Sequence, residues 1–237
     1  MNPARGVIDG LGLGERYHAF WWRIAARRRQ VLTDWSRRHN ALFIHVPKAA
    51  GLSVYDALGM ERPPDTHAPA AACRIADPDF FDGAFRFAVV RNPWDRLVSA
   101  YHYLSQDSAF PQDRAWARRR LASAPDFASF MRLMKQSWTR NQIMGWRHFL
   151  PQASFLEVRG RNAMELLIPF EALDDGLAYV ATRIGVTIKP AHENRSNRGD
   201  YRRYYSDEDA ALVARLYAAD IVLTGARFDD GGRRKRS

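Results

Sequence analysis

Two short segments of the sequence combine cationic, hydroxyl and glycine residues in an order that can bind phosphate groups. In the first segment, Lys48 precedes Gly51 and Ser53. A glycine lets the backbone approach an anion, helix N-terminal amides point at it, and the lysine and serine add a positive charge and a hydroxyl. In the second segment, Arg91 precedes Ser99 by about two helical turns. An arginine fork with a hydroxyl predicts a second phosphate site, separate from the first.

Each of these segments follows an apolar run that predicts a buried strand. The two runs are residues 41–46, ALFIHV, and residues 85–90, FRFAVV. A helix is expected to follow each run. Gly59 is the expected stop of the first helix, and Asn92 and Pro93 fit the N-cap and first position of the second. Strand, turn and helix in this order can present backbone amides to a phosphate group.

The rest of the sequence alternates strands and helices in the same way. Further strands are predicted over 154–158 and 166–170, and further helices over 15–38, 94–104, 125–135, 174–184 and from Ser206 onward. This alternation predicts an α/β fold with a mostly parallel sheet covered on both faces. Ligands of such sheets bind at the carboxyl ends of the strands, where both phosphate-binding segments fall.

The composition is typical of a globular protein with a packed core. The 237 residues, 46% of them hydrophobic, allow one α/β domain or at most two small ones. The single cysteine, Cys73, permits no intramolecular disulfide. The N-terminus lacks the pattern of a signal peptide, and no uncharged apolar run reaches about 18 residues. We therefore expect a cytoplasmic protein, with the inner membrane surface as the alternative location.

The formal net charge of +10 suits an anionic partner: a nucleic acid, an anionic lipid, a polyanionic glycan or a phosphorylated nucleotide. Much of this charge lies in the predicted helix over 15–38 and in the C-terminal tail. The helix is expected to pack on the domain, and peripheral membrane contact is the alternative. The expected organisation is a basic helical extension over 1–40, one domain over 41–228 and a basic flexible tail over 229–237.

Both segments resemble known sequence motifs. Residues 43–53, FIHVPKAAGLS, resemble the 5′-phosphosulfate loop of the Golgi-type and bacterial carbohydrate sulfotransferases, usually written IPKTAGTS. Residues 87–101, FAVVRNPWDRLVSAY, are similar to the 3′-phosphate motif of the same family, RNPxxRxxSxY. The family includes heparan sulfate 2-O-sulfotransferases and chondroitin sulfotransferases. The resemblance continues weakly through 168–173 and 192–196 and covers about residues 41–228.

This resemblance implies a P-loop NTPase-like, three-layer α/β/α fold and a sulfotransferase activity. The donor would be 3′-phosphoadenosine 5′-phosphosulfate (PAPS), the product 3′,5′-ADP, and no metal would be needed. The acceptor would be a hydroxyl of a glycan or glycolipid, and nucleic acid is not an expected partner. The residues implied in binding the 5′-phosphosulfate are Lys48, Ala50, Gly51, Leu52 and Ser53, and those implied in binding the 3′-phosphate are Arg91 and Ser99.

Two catalytic roles follow from the same resemblance. Lys48 would stabilise the charge that builds on the leaving phosphate. His67 lies in the loop between the two motifs, where related enzymes place a histidine base, and it is the predicted acceptor of the hydroxyl proton. His192 is the second candidate for this role, and His45 is expected to be buried at a strand end.

The sequence departs from the family pattern at Ala49 and Leu52, where the family has threonines. Loss of one neutral hydrogen bond costs about 1 kcal/mol, so we expect weaker donor binding, with an inactive member as the alternative. A P-loop nucleotide kinase is a rival interpretation, but the Walker order is absent because Lys48 precedes the glycine. A non-catalytic, basic polyanion-binding module is the other rival, and it leaves the paired motifs unexplained.

Overall fold

The computed structural model describes residues 31–63, 66–106, 110–189 and 199–232. These residues divide into two compact units. The first, here called the sheet unit, contains the described residues up to Arg91 and those from 152 to 189. The second, here called the helical unit, contains those from 92 to 151 and from 199 to 232. The predicted domain boundaries at residues 40 and 228 stay predictions.

The elements follow one another in a mixed α/β order. In chain order they are α1 (Asp34–Arg38), β1 (Ala41–Phe43), α2 (Gly51–Ala57), α3 (Ala70–Ala76), α4 (Pro78–Gly83), β2 (Phe85–Val90), α5 (Pro93–Ser105), α6 (Pro111–Arg120), α7 (Phe127–Lys135), α8 (Ser137–Met144), α9 (Ala153–Leu156), β3 (Glu157–Val158), β4 (Arg161–Asn162), β5 (Leu166–Pro169), a 3₁₀ turn (Phe170–Ala172), α10 (Leu173–Ile184), a 3₁₀ turn (Tyr201–Tyr204), α11 (Asp207–Leu216), α12 (Ala218–Thr224) and a 3₁₀ turn (Phe228–Gly232). Among the described residues, no helix is long and apolar enough to cross a membrane.

The sheet unit is built on three parallel strands in the order β1-β2-β5. The central strand carries Phe87, Ala88 and Val89, which are fully buried. A run of apolar residues that is buried on both faces is typical of a parallel sheet. The predicted α/β class with a parallel sheet is therefore confirmed, and the predicted strands over 85–90 and 166–170 correspond to β2 and β5.

Two strand predictions differ from the structure. Strand β1 ends at Phe43, although the amide of Ile44 still donates to the Phe87 carbonyl at 3.0 Å. The strand predicted over 154–158 is wrong. The chain forms helix α9 there, and only β3 pairs, antiparallel to β4. Phe155 and Leu156 are adjacent and both buried, a pattern that a short helix shares with a strand buried on both faces, so periodicity alone does not distinguish the two.

Most helix predictions are confirmed by their caps. The side chain of Asn92 accepts the amide of Trp94 at 3.1 Å at the start of α5. Ser206 and Asp209 form a capping box at the start of α11. Gly59, with φ of 61°, follows the end of α2.

The basic helix predicted over 15–38 lies outside the described residues as far as residue 30. From there the structure shows only the short helix α1, because Thr33 is its N-cap and accepts the amide of Ser36. The helix prediction is therefore wrong for residues 31–33. Trp35 on α1 is buried, so this part of the segment packs on the protein, as expected.

Arg96 is a buried side chain that links several segments of the helical unit. Its side chain is 1% exposed, and it donates to the carbonyls of His148 at 3.3 Å and Leu150 at 2.5 Å. The carboxylate of Asp220, which is fully buried, lies 3.8 Å from the same guanidinium. The ring of Tyr217 lies 5.4 Å from it. Arg96 therefore links α5, the 148–150 segment and α12.

Replacing Arg96 with methionine is expected to lower the free energy of unfolding by about 3–5 kcal/mol, because the buried carboxylate of Asp220 loses the cation beside it. Adding Asp220→Asn to the same chain should recover part of this loss. Urea unfolding of the single and double variants measures both effects. A loss below about 1 kcal/mol in the single variant would show that the pair contributes no more than an exposed ion pair does.

Candidate functional site

The turn after β1 has an unusual backbone conformation. Lys48 and Ala50 have φ values of 68° and 56°, and Ala49 between them does not lie in this left-handed region. Residues with a Cβ atom rarely adopt such φ values, and surrounding structure must fix them there. A left-handed residue next to a right-handed one can turn successive amides toward one point and form an anion-binding concavity. Ala50 and the first helical residue, Gly51, are such a pair.

The N-terminus of α2 continues this concavity with unpaired donors. The first backbone hydrogen bond of the helix runs from the amide of Val54 to the carbonyl of Ala50 at 3.2 Å. The amides of Gly51, Leu52 and Ser53 have no hydrogen-bond partner within the described residues. Orphan amides at a helix start are the groups that bind a phosphate. The structure thus brings together the five residues implied in binding the 5′-phosphosulfate.

Arg91 connects this turn to the end of β2. Its side chain is 7% exposed, and one guanidinium nitrogen, Nη1, donates to the carbonyl of Lys48 at 3.1 Å. The guanidinium lies 4.2 Å from the ring centre of Phe170. The side-chain amide of Gln152 accepts the Arg91 amide at 3.0 Å and donates to its carbonyl at 2.8 Å. Arg91 therefore braces the strained Lys48 peptide, and its predicted contact with a 3′-phosphate stays a prediction.

Gly51 is required by a close approach of His45. A Cβ atom at position 51 would lie 1.9 Å from Cδ2 and Nε2 of the His45 imidazole. The buried imidazole also packs against the rings of Phe43 and Tyr55. The glycine therefore allows the turn to pack against the imidazole of His45 at the end of β1. This is a second reason for a glycine here, beside the predicted approach of the backbone to an anion.

Gly51→Ala is expected to reduce the free energy of unfolding by about 1–3 kcal/mol, because the added methyl group overlaps the imidazole of His45. Gly83→Ala is the matched control, since a Cβ atom there meets nothing within 4 Å. Chemical unfolding should also show favourable coupling when His45→Ser is combined with Gly51→Ala. Equal stability of the two alanine variants would contradict the close packing described here.

His67 lies against the end of β1. Its Nδ1 is 3.2 Å from the backbone carbonyl of His45, and the two imidazole centres are 4.3 Å apart. A carbonyl only accepts, so Nδ1–H donates and the lone pair of the neutral imidazole is on Nε2. The half-buried His67 is thus held in the tautomer that a general base needs. The second candidate, His192, lies outside the described residues.

The remaining residues of the second motif lie on α5 in the helical unit. Ser99 is buried, and its contact with a 3′-phosphate stays a prediction. Tyr101 donates through its hydroxyl to the carbonyl of Ala124 at 2.9 Å. With Arg96 and Asn92, this tyrosine supports the fold, so part of the motif is structural. Among the described residues, no cluster of three or more His, Cys, Asp or Glu side chains has an arrangement that would hold a metal ion.

Comparison with known protein families agrees with this geometry. A sequence model described as the sulfotransferase family matches residues 33–223, which is more than half of the chain. No curated protein and no solved structure matches the chain. The match includes β1, the strained turn, α2, β2 and α5. The chain therefore belongs to the sulfotransferase family.

Proposed function

We propose that this sulfotransferase transfers the sulfuryl group of PAPS to a hydroxyl of a carbohydrate or glycoconjugate. The observation that carries the proposal is the turn between β1 and α2, where the left-handed Lys48 and Ala50 lead into three amides that have no hydrogen-bond partner within the described residues. The implied P-loop-like, three-layer arrangement belongs to the same proposal. Its support is the parallel sheet, with this turn at the carboxyl end of β1.

The residues present suit the phosphosulfate end of the donor. When bound, PAPS supplies an activated sulfuryl group attached to its 5′-phosphate. The amides of Gly51, Leu52 and Ser53 bind and orient that end, and they need no threonine hydroxyl at position 52. Lys48 adds a full positive charge where negative charge develops on the leaving oxygen, and such preorganised stabilisation is usually the largest catalytic contribution.

Arg91 has two roles in this proposal. Nη1 holds the carbonyl of Lys48, and a guanidinium has five N–H donors. In the proposal the same guanidinium also donates to the 3′-phosphate, as the motif implies. Because one side chain binds the nucleotide and braces the catalytic turn, correct placement of the donor and the position of Lys48 depend on each other.

The acceptor side of the reaction requires a base. Nε2 of His67 takes the proton of the acceptor hydroxyl as its oxygen forms the new bond to sulfur. The carbonyl of His45 keeps Nδ1 protonated, so the imidazole becomes a cation after the transfer. The acceptor proton therefore ends on His67. The electron pair of the broken sulfur–oxygen bond ends on the leaving phosphate oxygen, beside Lys48.

A screen with PAPS labelled in its sulfuryl group tests the proposal. Purified protein is incubated with neutral, carboxylated and phosphorylated oligosaccharides and with glycolipids, and transferred label is measured. We expect label in at least one carbohydrate class and none with Lys48→Ala. Transfer to phenols or small alcohols alone would contradict the carbohydrate assignment, and phosphoryl transfer from ATP would contradict the donor.

A further inference from the structure

The imidazole of His45 lies between two parts of the proposed catalytic site that come from different segments of the sheet unit. His45 is buried, with 6% of its surface exposed. One edge of its ring faces Gly51 at the start of α2, and the centre of the ring is 4.3 Å from that of His67. The proposed reaction assigns roles to the turn and to His67, and none to the side chain between them.

Aromatic contacts from both β1 and α2 fix the ring of His45. It stacks on Phe43 with ring centres 5.8 Å apart and an interplanar angle of 16°, and it meets Tyr55 edge-on at 5.6 Å. Phe43 and Tyr55 also contact each other, with ring centres 5.4 Å apart, and Phe43 stacks at 5.3 Å on the fully buried Phe87 of β2. Because these rings are packed in the core, the imidazole has little freedom to move.

The edge of this ring limits how closely the turn before α2 can approach β1. A Cβ atom at Gly51 would lie 1.9 Å from Cδ2 and Nε2 of His45 and 2.5 Å from Cε1, so three ring atoms face the glycine. Gly51 is the first of the three residues whose amides have no hydrogen-bond partner within the described residues. The position of these amides therefore depends on the ring of His45.

His67 contacts both the backbone and the side chain of His45. The hydrogen bond of 3.2 Å from Nδ1 of His67 to the His45 carbonyl selects the tautomer. A hydrogen bond through one ring atom leaves an imidazole able to tilt and rotate about that bond. The ring of His45, inclined at 53° to that of His67, restricts this movement and so restricts the direction of the Nε2 lone pair.

We infer that His45 is a positioning residue, whose imidazole sets the distance and the angle between Nε2 of His67 and the turn that binds the phosphosulfate. The inference rests on the proposed function. Transfer of the sulfuryl group requires the base, the acceptor oxygen and the leaving phosphate to be held in one geometry, and a misplacement of about 1 Å can lower the rate by about a hundredfold. A rigid ring packed against both the turn and the base provides that spacing.

The orientation of His67 can be measured without a substrate, by ¹⁵N NMR of the histidine side chains in the full chain. His45→Ala and His45→Asn both remove the ring and keep the backbone carbonyl, and either serves if the other fails to fold. His45→Leu keeps most of the side-chain volume. At a pH where the imidazole is neutral, we expect His67 to be in the Nδ1–H tautomer in the unmodified protein and in His45→Leu. In His45→Ala we expect both tautomers to be populated, because the ring can leave the carbonyl.

Kinetics test the consequence for catalysis, with labelled PAPS and the oligosaccharide that takes up most label in the screen. His45→Ala should lower turnover by about ten- to a hundredfold. Its affinity for 3′,5′-ADP should stay within about threefold of the unmodified protein, because the turn loses no donor and Arg91 still holds the carbonyl of Lys48. His45→Leu should recover most of the turnover, since it fills the space between the turn and His67.

A double-variant cycle shows whether His45 acts through His67. In His67→Ala the base is absent, so adding His45→Ala should lower turnover by less than about twofold. Val180→Ala, which removes buried atoms from α10 in the same unit, is the matched control for lost stability and should change neither turnover nor the His67 tautomer. A loss that is as large in the His67→Ala background as in the unmodified protein would overturn the inference. Unchanged turnover and an unchanged tautomer in His45→Ala or His45→Asn would overturn it as well.

The pH profile separates positioning from direct proton transfer. Because His67 remains the base, the rising limb of the rate should be present in each His45 variant that transfers label. Loss of that limb would show that His45 itself takes the proton and would overturn the inference. Normal transfer by the unmodified protein, with no coupling between the two histidines, overturns the role of His45 alone. Absence of both transfer and 3′,5′-ADP binding in the unmodified protein overturns the proposed function, and the role of His45 with it.

Discussion

Lys48→Ala is expected to lower turnover by about 10²–10³-fold and to weaken PAPS binding in the same variant. The lysine charge acts on the phosphosulfate in the bound ground state and more strongly as the leaving phosphate gains charge. Alanine retains the Cβ atom, so the cost of the left-handed backbone at φ of 68° is nearly unchanged. The effect is therefore one of charge, and steady-state kinetics with calorimetry of PAPS measure it.

Lys189→Ala is the matched control for this experiment. Lys189 lies in the same unit, where its amide donates to the carbonyl of Ala57 at the end of α2 opposite Lys48. Its replacement removes the same charge and should leave turnover and PAPS affinity within about twofold of the unmodified protein. Catalysis that survives in Lys48→Ala would contradict the assignment of the turn as the phosphosulfate loop.

His67→Ala is expected to lower turnover by about a hundredfold or more, with the affinity for 3′,5′-ADP unchanged. Only the neutral imidazole can take a proton, so the rate of the unmodified enzyme should rise with pH. That rising limb should be absent in the variant. His39→Ala is the control, because His39 is in the same unit and packs on Trp35 at the end of α1.

The pH profile decides whether this residue is the base. An active His67→Ala enzyme with an unaltered rising limb would move the base to another residue, with His192 the next to be replaced. A parallel loss of 3′,5′-ADP affinity would instead show that His67 supports the turn through its hydrogen bond to the His45 carbonyl.

The fold could be predicted where one local signal decides it. Strands β2 and β5 are short apolar runs, and helices α5 and α11 begin at side chains that cap them, Asn92 and Ser206. Helices α6 and α8 were not predicted, because they are rich in polar residues and their apolar positions are few. The segment 154–158 was assigned the wrong state because Phe155 and Leu156 are apolar in either conformation, and only packing selects the helix.

The turn between β1 and α2 was predictable in composition but not in conformation. Lysine, glycine and serine in this order predict an anion site. An alanine has no local preference for a φ of 56°, so tertiary contacts must impose this conformation on Ala50. Nothing in the sequence indicated a role for Gln152, because its two hydrogen bonds to the backbone of Arg91 join residues that are far apart in sequence. Phe170 lies in a segment of weak family resemblance that suggested no contact with Arg91.

The central claim, that this chain binds the nucleotide of PAPS, is tested most directly by calorimetry of 3′,5′-ADP against 5′-ADP, because this measurement needs no acceptor. A charge-assisted contact to the 3′-phosphate contributes about 1.5–3 kcal/mol, so 3′,5′-ADP should bind about ten- to more than a hundredfold more tightly. Equal affinity for the two nucleotides would contradict the assignment.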